Sequence, residues 1–208
     1  MLRLDYDNFM KKRTFVSLVR VALATLSFTA IITQMIEMLQ AGKSLVNFFS
    51  FFTIESNILA AALLLIAGVA GLAGSKKNLF EYLRGAATVY MTMTGIIYIV
   101  LLSDDPGTLL IPWVNTVLHY IMPVAVLIDW LIHPPIKAIS YKRALTWMIF
   151  PVIYLVYSFI RGAFVGWYPY PFIDPSISSW RYIIATCFII CIGVVVLIRI
   201  LIIRPRRQ

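Results

Sequence analysis

Cysteine is almost absent from this sequence. The chain of 208 residues has two, Cys187 and Cys191, four positions apart in an apolar run. They do not make a disulfide framework, and no Cys/His spacing typical of a zinc site is present. We interpret both as buried small apolar residues. The sequence predicts neither a bound metal nor an organic cofactor.

Long polar segments are missing as well, and we find no internal repeat. Apolar residues make up 61% of the chain, against roughly 45–50% in soluble domains. Several apolar runs reach the roughly 20 residues that a helix needs to cross a bilayer, without the alternation of a membrane β-barrel. The first run is too long for a cleaved signal peptide. The sequence therefore predicts an all-α polytopic membrane protein, a single domain over 1–208 with six transmembrane helices at about 15–38, 46–73, 82–102, 112–132, 144–163 and 180–203.

Acidic residues are few, 9 against 18 basic residues, for a net charge of +9. Fourteen basic residues fall at the two termini and in the connections between spans two and three and between spans four and five. Three lie on the other side, and Arg20 lies within span one. The positive-inside rule then predicts that both termini are cytoplasmic. The basic tail RPRRQ is expected to contact anionic lipid headgroups, and no nucleic-acid partner is predicted.

A cluster of polar residues interrupts the second apolar run, FFSFFTIESNILAAALLL. Thr53, Glu55, Ser56 and Asn57 lie within five positions of each other. Polar side chains are costly inside a bilayer, and they tend to mark a functional site. Ser56 and Asn57 lie three and four residues after Thr53, on the same flank of a helix. Glu55 points to the other side of an ideal helix, which makes it a poor third member of a catalytic triad.

A second polar group lies in the fourth apolar run, in the segment WVNTVLH. Asn115 and Thr116 lie four and three residues before His119, on its side of the helix. Pro123 lies four residues after it and removes the N–H that would bond the carbonyl of His119. The helix is therefore predicted to kink beside the histidine and to leave room for a ligand.

Thr53 and His119 are predicted to meet. They lie seven and six residues after Val46 and Trp113, where their spans begin, and thus both roughly 10 Å below the outer edge of the hydrocarbon. A neutral imidazole can take the proton of a threonine hydroxyl and return it to a leaving group. Donors for an oxyanion are available in Ser56, Asn57 and Asn115. From spacing alone, a buried ligand or ion site and plain helix packing remain alternatives.

The connection after the fifth span, RGAFVGWYPYPFIDPSISSW, is rich in aromatic residues and proline. Its prolines stiffen it towards polyproline II. Its aromatic residues suit the headgroup layer, where they would form an interfacial belt. A lid over the site, with hinges at Gly162 and Gly166, is the alternative.

The motifs FFTIESN, WVNTVLH with Pro123, and YPYPF resemble, in this order and at these separations, the androgen-induced and androgen-dependent TFPI-regulating protein family. The resemblance covers most of the chain. It implies a six-span intramembrane threonine hydrolase of fatty acid esters of hydroxy fatty acids. Thr53 and His119 match the catalytic pair of that family, and Trp113 and Asn115 match its Trp–x–Asn. Ser56 and Thr116 replace an acidic residue and a histidine of animal members.

The resemblance implies a lipid ester hydrolase with Thr53 as nucleophile and His119 as base. Glu55, Ser56, Asn57, Trp113 and Asn115 are the predicted substrate-binding residues. The expected partners are membrane lipids and an acyl ester, and the bacterial branch of the family implies the cytoplasmic (inner) membrane of a bacterium. A binder or transporter of a lipid or small amphiphile, without enzymatic activity, is the alternative. The sequence indicates no oligomeric state.

Overall fold

The computed structural model describes residues 2–75, 80–104 and 111–203, with side chains from residue 10 onward. These residues form helices and no strand. Among them, six helices are long and apolar enough to span a membrane, as the sequence predicts. We call them spans one to six: Met10–Gln40, Phe52–Leu72, Glu81–Leu102, Pro112–Ile132, Tyr141–Val165 and Trp180–Ile202. The basic connection at 76–79, the side chain of Arg3 and the RPRRQ tail lie outside the described residues.

Several spans contain more than one kind of helix. Span three is α4 (Glu81–Ile97) followed by a π-helical turn, and span four is α5 (Pro112–Thr116) and α6 (Met122–Ile132) with a π-helical turn between them. Span five begins with a short helix and a 3₁₀ turn. The remaining helices are α1 Leu2–Gln40, α2 Leu45–Phe49, α3 Phe52–Leu72, α7 Tyr141–Ala144, α8 Ile149–Val165 and α9 Trp180–Ile202, the π-helical turns are Tyr98–Leu102 and Val117–Ile121, and the 3₁₀ turns are Leu145–Met148 and Pro171–Ile173.

The outer surface of the bundle is apolar, as a lipid-facing surface must be. Phe164 is 86% exposed, Val100 70% and Phe188 65%. Large exposed apolar side chains occur on all six spans. Water would oppose this exposure, whereas lipid tails do not, because they are as apolar as the side chains. The apolar surface and the lengths of the helices therefore both indicate a protein that spans a membrane.

The second apolar run is interrupted, where the sequence predicts one continuous helix from residue 46. α2 ends at Phe49, Phe51 adopts an extended conformation with φ −82° and ψ 125°, and α3 begins at Phe52. The hydroxyl of Tyr154 donates to the carbonyl oxygen of Ser50 at 2.9 Å, beside the middle of span five. Inside a bilayer, a broken helix is tolerated where other parts of the protein bond its free backbone groups.

A π-helical turn stands where the sequence predicts a kink at Pro123. The N–H of Met122 bonds the carbonyl of Val117, five residues earlier, and Pro123 has no N–H to offer. Gly95 of span three faces this turn. A Cβ atom on Gly95 would lie 3.0 Å from the Cβ of Pro123 and 3.4 Å from the carbonyl oxygen of His119. Glycine thus lets spans three and four approach each other closely beside the histidine.

Most of the described basic residues lie at one end of the bundle, which we call the basic end, whereas Lys43, Arg161 and Arg181 lie at the other. Arg20 and Arg84 both bind the carboxylate of Asp129, at 2.8 and 2.7 Å, and so join spans one, three and four. Arg20 lies within span one, and its guanidinium is neutralised by this carboxylate. Further guanidinium groups of this end lie over aromatic rings, Arg143 over Tyr82 and Arg199 over Tyr141.

Spans one and two pack closely because span two presents glycine to its neighbour. A Cβ atom on Gly68 would lie 2.8 Å from the carbonyl oxygen of Ser17 and 2.8 Å from a methyl carbon of Val21. Small residues at such contacts let two helix backbones approach each other in a membrane. The contact anchors span one to the rest of the bundle.

Gly68→Ala is expected to lower stability by about 1–3 kcal/mol, because the added methyl group overlaps the backbone of span one. Gly193→Ala is the matched control, since its Cβ would meet only the Met93 methyl at 3.7 Å. Thermal unfolding of both purified variants in detergent measures the difference. Equal melting temperatures for the two variants would show that the close approach at Gly68 is not needed.

Candidate active site

Thr53 and His119 are in contact, as the sequence predicts. The Oγ1 atom of Thr53 lies 3.3 Å from the Nε2 atom of His119. Both side chains are buried, each 8% exposed. Thr53 is the second residue of α3, and His119 is the middle residue of the π-helical turn in span four. The broken helix and the widened helix therefore bring a hydroxyl and an imidazole together.

The imidazole of His119 is held in one orientation. Its Nδ1 atom lies 3.3 Å from the backbone carbonyl oxygen of Asn115. A carbonyl only accepts hydrogen bonds, so in the neutral ring Nδ1 carries the proton and the lone pair of Nε2 faces Thr53. The ring of Tyr98 stacks on the imidazole with centroids 4.0 Å apart. The side-chain amide of Asn115 donates to the Tyr98 hydroxyl at 2.6 Å and so fixes that ring as well.

Tyr170, from the loop after span five, covers Thr53. Its hydroxyl accepts the backbone N–H of Thr53 at 3.2 Å and lies 3.4 Å from Oγ1. Burial raises the pKa of the Tyr170 hydroxyl above its ordinary value, so the group stays protonated. A consistent set of donors follows: Tyr170 donates to Thr53 Oγ1, Thr53 donates to Nε2 of His119, and Nδ1 of His119 donates to Asn115.

Hydrogen-bond donors for an oxyanion are available beside Thr53. Because α3 begins at Phe52, the N–H of Thr53 has no acceptor within the helix. The start of a helix also carries the positive end of its dipole. The Thr53 N–H, which bonds the Tyr170 oxygen in this structure, and the Tyr170 hydroxyl are two donors close to Oγ1. Negative charge would develop near them during an attack on a carbonyl group.

Ser56 and Asn57, two of the residues on span two that are predicted to bind substrate, bond the backbone carbonyl of Thr53. Asn57 donates from Nδ2 to the carbonyl oxygens of Thr53, at 2.9 Å, and Leu118, at 3.2 Å. Ser56 donates to the same Thr53 carbonyl at 3.2 Å and contacts the Thr94 hydroxyl at 3.1 Å. These bonds tie the first turn of α3 to spans three and four. In this geometry the two side chains position Thr53, and their donors are already bonded to backbone carbonyls.

Glu55 and Trp113 stand apart from the pair. The Oε2 atom of Glu55 is buried and has no hydrogen-bond partner among the described residues. The place next to Nδ1 of His119, where a triad acid would lie, is taken by the carbonyl of Asn115. Trp113 is 43% exposed at the start of span four. Within the described ranges, no group of three or more His, Cys, Asp or Glu side chains is arranged to hold a metal ion.

A cavity of about 110 Å³ opens beside Thr53. Its walls come from the start of span two, from spans three, five and six and from the loop after span five, and Met93, Leu155 and Ile190 are typical of its lining. Thr53 and Tyr170 form part of the wall, whereas His119 does not. Thr53 therefore lies between the imidazole on one side and an apolar space on the other.

The loop 166–179 reaches the site because span five ends in two glycines with different roles. Gly166 ends α8 in the left-handed region, with φ +64°. Gly162 lies inside α8, and a Cβ atom there would overlap the ring of Tyr168. The absence of a side chain at Gly162 thus makes room for the ring of Tyr168, whereas the lid alternative drawn from the sequence assigns a hinge to this position.

Comparison with known proteins adds no relative: no family model matches the chain, and neither a curated protein nor a solved structure is significantly similar to it. The resemblance stated from the motifs therefore stays a prediction.

Two aromatic residues of the site, Tyr98 and Tyr170, were not among the predicted site residues. The YPYPF motif was a signal for Tyr170, whereas Tyr98 lies in an ordinary apolar run and gave none.

Tyr170→Phe is expected to lower stability by about 1–3 kcal/mol, because it removes the acceptor of the buried Thr53 N–H. Tyr182→Phe is the control, since that side chain is 48% exposed at the start of span six. Denaturant unfolding of both variants in detergent measures the difference. If Tyr170→Phe is as stable as the control, the bond between Tyr170 and the Thr53 backbone does not contribute.

Proposed function

We propose that this protein hydrolyses lipid esters within the membrane, with Thr53 as nucleophile and His119 as general base. The observation that carries the proposal is the 3.3 Å contact between Thr53 Oγ1 and His119 Nε2. It is supported by the carbonyl of Asn115 at Nδ1, which directs the lone pair of Nε2 towards the hydroxyl. A nucleophile, a base and a group that orients the base are the parts that activate a hydroxyl for acyl transfer.

The first half of the reaction transfers the acyl group to the protein. Oγ1 of Thr53 attacks the ester carbonyl carbon while Nε2 of His119 takes the hydroxyl proton. The negative charge that develops on the carbonyl oxygen is stabilised by the Thr53 N–H and the Tyr170 hydroxyl. The bond between carbon and the alcohol oxygen then breaks, and the imidazolium returns its proton to the departing alkoxide.

The second half releases the acyl group. A water molecule attacks the acyl-threonine while Nε2 of His119 takes one of its protons. The bond to Oγ1 breaks, Thr53 regains the proton from the imidazolium, and the fatty acid leaves. Asn57 and Ser56 hold the backbone of Thr53 in place throughout, and Tyr98 keeps the imidazole in plane. No step of this reaction requires a metal ion or an organic cofactor.

The substrate in this proposal is an acyl ester that reaches the site from the membrane. The fatty acid esters of hydroxy fatty acids that the family resemblance implies are one such class. The distribution of charge supports cytoplasmic termini, because the basic end lies opposite the loop that covers Thr53. The site then lies in the outer half of the bilayer, in the cytoplasmic membrane of a bacterium.

Thr53→Ala and His119→Ala are each expected to lower kcat/KM for a fatty acyl ester by about a thousandfold or more, because they remove the nucleophile or its base. Each is also expected to abolish covalent labelling by a fluorophosphonate. Thr53→Ser keeps a hydroxyl and is expected to retain part of both signals. Assays on purified protein, with the labelled peptide identified by mass spectrometry, measure these effects.

Thr116→Ala is the matched control for this experiment, because Thr116 is an exposed threonine on the same span as His119. It is expected to hydrolyse and label like the unaltered protein. Labelling that persists in Thr53→Ala would assign the nucleophile to another residue. That result would remove the central assumption of the proposed chemistry.

A carrier of lipids or small amphiphiles is the second candidate, and the interrupted span two favours it. Broken helices whose free ends face the ligand are common in transporters. A carrier would take up an amphiphile into proteoliposomes with saturable kinetics, and it would do so in Thr53→Ala as well. Ester turnover without any such flux would decide for the hydrolase.

The proposed orientation is tested with reporter fusions. Green fluorescent protein fused after Gln208 is expected to fluoresce, and alkaline phosphatase at the same place to be inactive, because positively charged segments stay in the cytoplasm. Alkaline phosphatase fused after Gly42 is expected to be active. The reverse pattern would place the site in the inner half of the bilayer.

A further inference from the structure

The lining of the cavity beside Thr53 has few polar groups besides the thiols of Cys187 and Cys191. Tyr90, Tyr154 and Thr94 line it, yet their hydroxyls bond other groups of the protein. Tyr90 donates to the carbonyl of Trp147 at 2.8 Å, Tyr154 donates to that of Ser50 at 2.9 Å, and Thr94 pairs with Ser56. The hydroxyls of Thr53 and Tyr170 contact each other and lie where the cavity adjoins His119. A ligand with one polar carbon at Thr53 and an alkyl chain beyond it fits such a wall.

The side on which the cavity lies decides which part of an ester it holds. In acyl transfer the base that took the proton returns it to the alkoxide, so the alcohol leaves beside that base. His119 contacts Thr53 but does not line the cavity. The part of the ester inside the cavity is therefore the part that stays attached to Thr53, which is the acyl group.

The cavity runs parallel to the helices. On span six its lining extends from Cys187 to Val194, and on span five from Met148 to Leu155. Seven residues of helix correspond to about 10 Å. Val194 is 4% exposed and lies at the end of this lining that is closest to the basic end. A larger side chain at Val194 would therefore shorten the space available to a chain that starts at Thr53.

From these three observations we propose that the cavity between spans three, five and six is the acyl-chain pocket of this protein, with Val194 at the wall that limits chain length. The alcohol part of the ester lies on the side of His119. This inference rests on the proposed hydrolysis by Thr53. It goes further in assigning the acyl part and the alcohol part of the ester to opposite sides of Thr53, and in naming Val194 as the residue that limits the length of the acyl chain.

The test uses two series of esters, one that varies the acyl chain from butanoyl to hexadecanoyl and one that varies the alcohol. In Val194→Phe, kcat/KM for octanoyl esters relative to butanoyl esters is expected to fall about tenfold or more, because the methylenes that no longer fit lose their contacts. The alcohol series is expected to be unchanged. Val196→Phe, at an exposed position of the same span, is the matched control and is expected to change neither series.

A second measurement needs no substitution in the wall near Val194. In Cys187→Ser the remaining thiol is Cys191, which lines the cavity. Reaction of Thr53 with an octyl fluorophosphonate is expected to slow alkylation of Cys191 by N-ethylmaleimide severalfold, because the alkyl chain then occupies the cavity. An ethyl fluorophosphonate is expected to give no protection, and Thr53→Ala is expected to remove the protection altogether.

The outcomes separate this inference from the proposed function. If the unaltered protein shows neither ester turnover nor probe labelling, the proposed hydrolase function itself is refuted. Turnover with an unchanged acyl profile in Val194→Phe, or a shift in the alcohol series, overturns the assignment of the pocket. If Val194→Phe does not accumulate, the alkylation of Cys191 tests the assignment. Equal alkylation of Cys191 after the octyl and ethyl probes overturns the assignment as well.

Discussion

The break in span two is the constraint on which the rest of the site depends. A helix that stops beside the middle of span five leaves backbone groups without partners, and inside a bilayer no water is there to bond them. Tyr154 supplies a donor for the carbonyl of Ser50, and the hydroxyl of Tyr157 contacts the side chain of Ser50 at 2.9 Å. Tyr170 accepts the N–H of Thr53. These bonds let a helix begin at the level of the site, with Thr53 in its first turn.

The need to accommodate a missing backbone hydrogen bond also explains the irregular helix in span four. Pro123 cannot bond the carbonyl of His119, and the chain widens into a π-helical turn around the histidine. Such turns recur at functional sites because they redirect side chains without ending a helix. Span three carries a second π-helical turn that begins at Tyr98, whose ring stacks on His119. Three irregular segments thus meet, and each is stabilised by side chains of its neighbours.

Much of this arrangement could be predicted from residue patterns. The lengths of the apolar runs indicated six spans, and the depth of Thr53 and His119 placed them at one level. The roles of Ser56 and Asn57 were less accessible, because a side chain three or four residues from a nucleophile can face the substrate or its own backbone. In the structure both bond the carbonyl of Thr53. Tyr98 could not be predicted, since a single tyrosine in an apolar run carries no periodic signal.

The sequence by itself determined the class of the protein, because the length and polarity of apolar runs depend on the bilayer and not on the partners of a helix. It also determined which two residues had chemistry to offer. Tertiary structure alone decided where span two breaks, which way Tyr170 points and where the cavity lies. The physical reason is that these features satisfy backbone groups and fill space between helices that are distant in sequence, so no local pattern of residues encodes them.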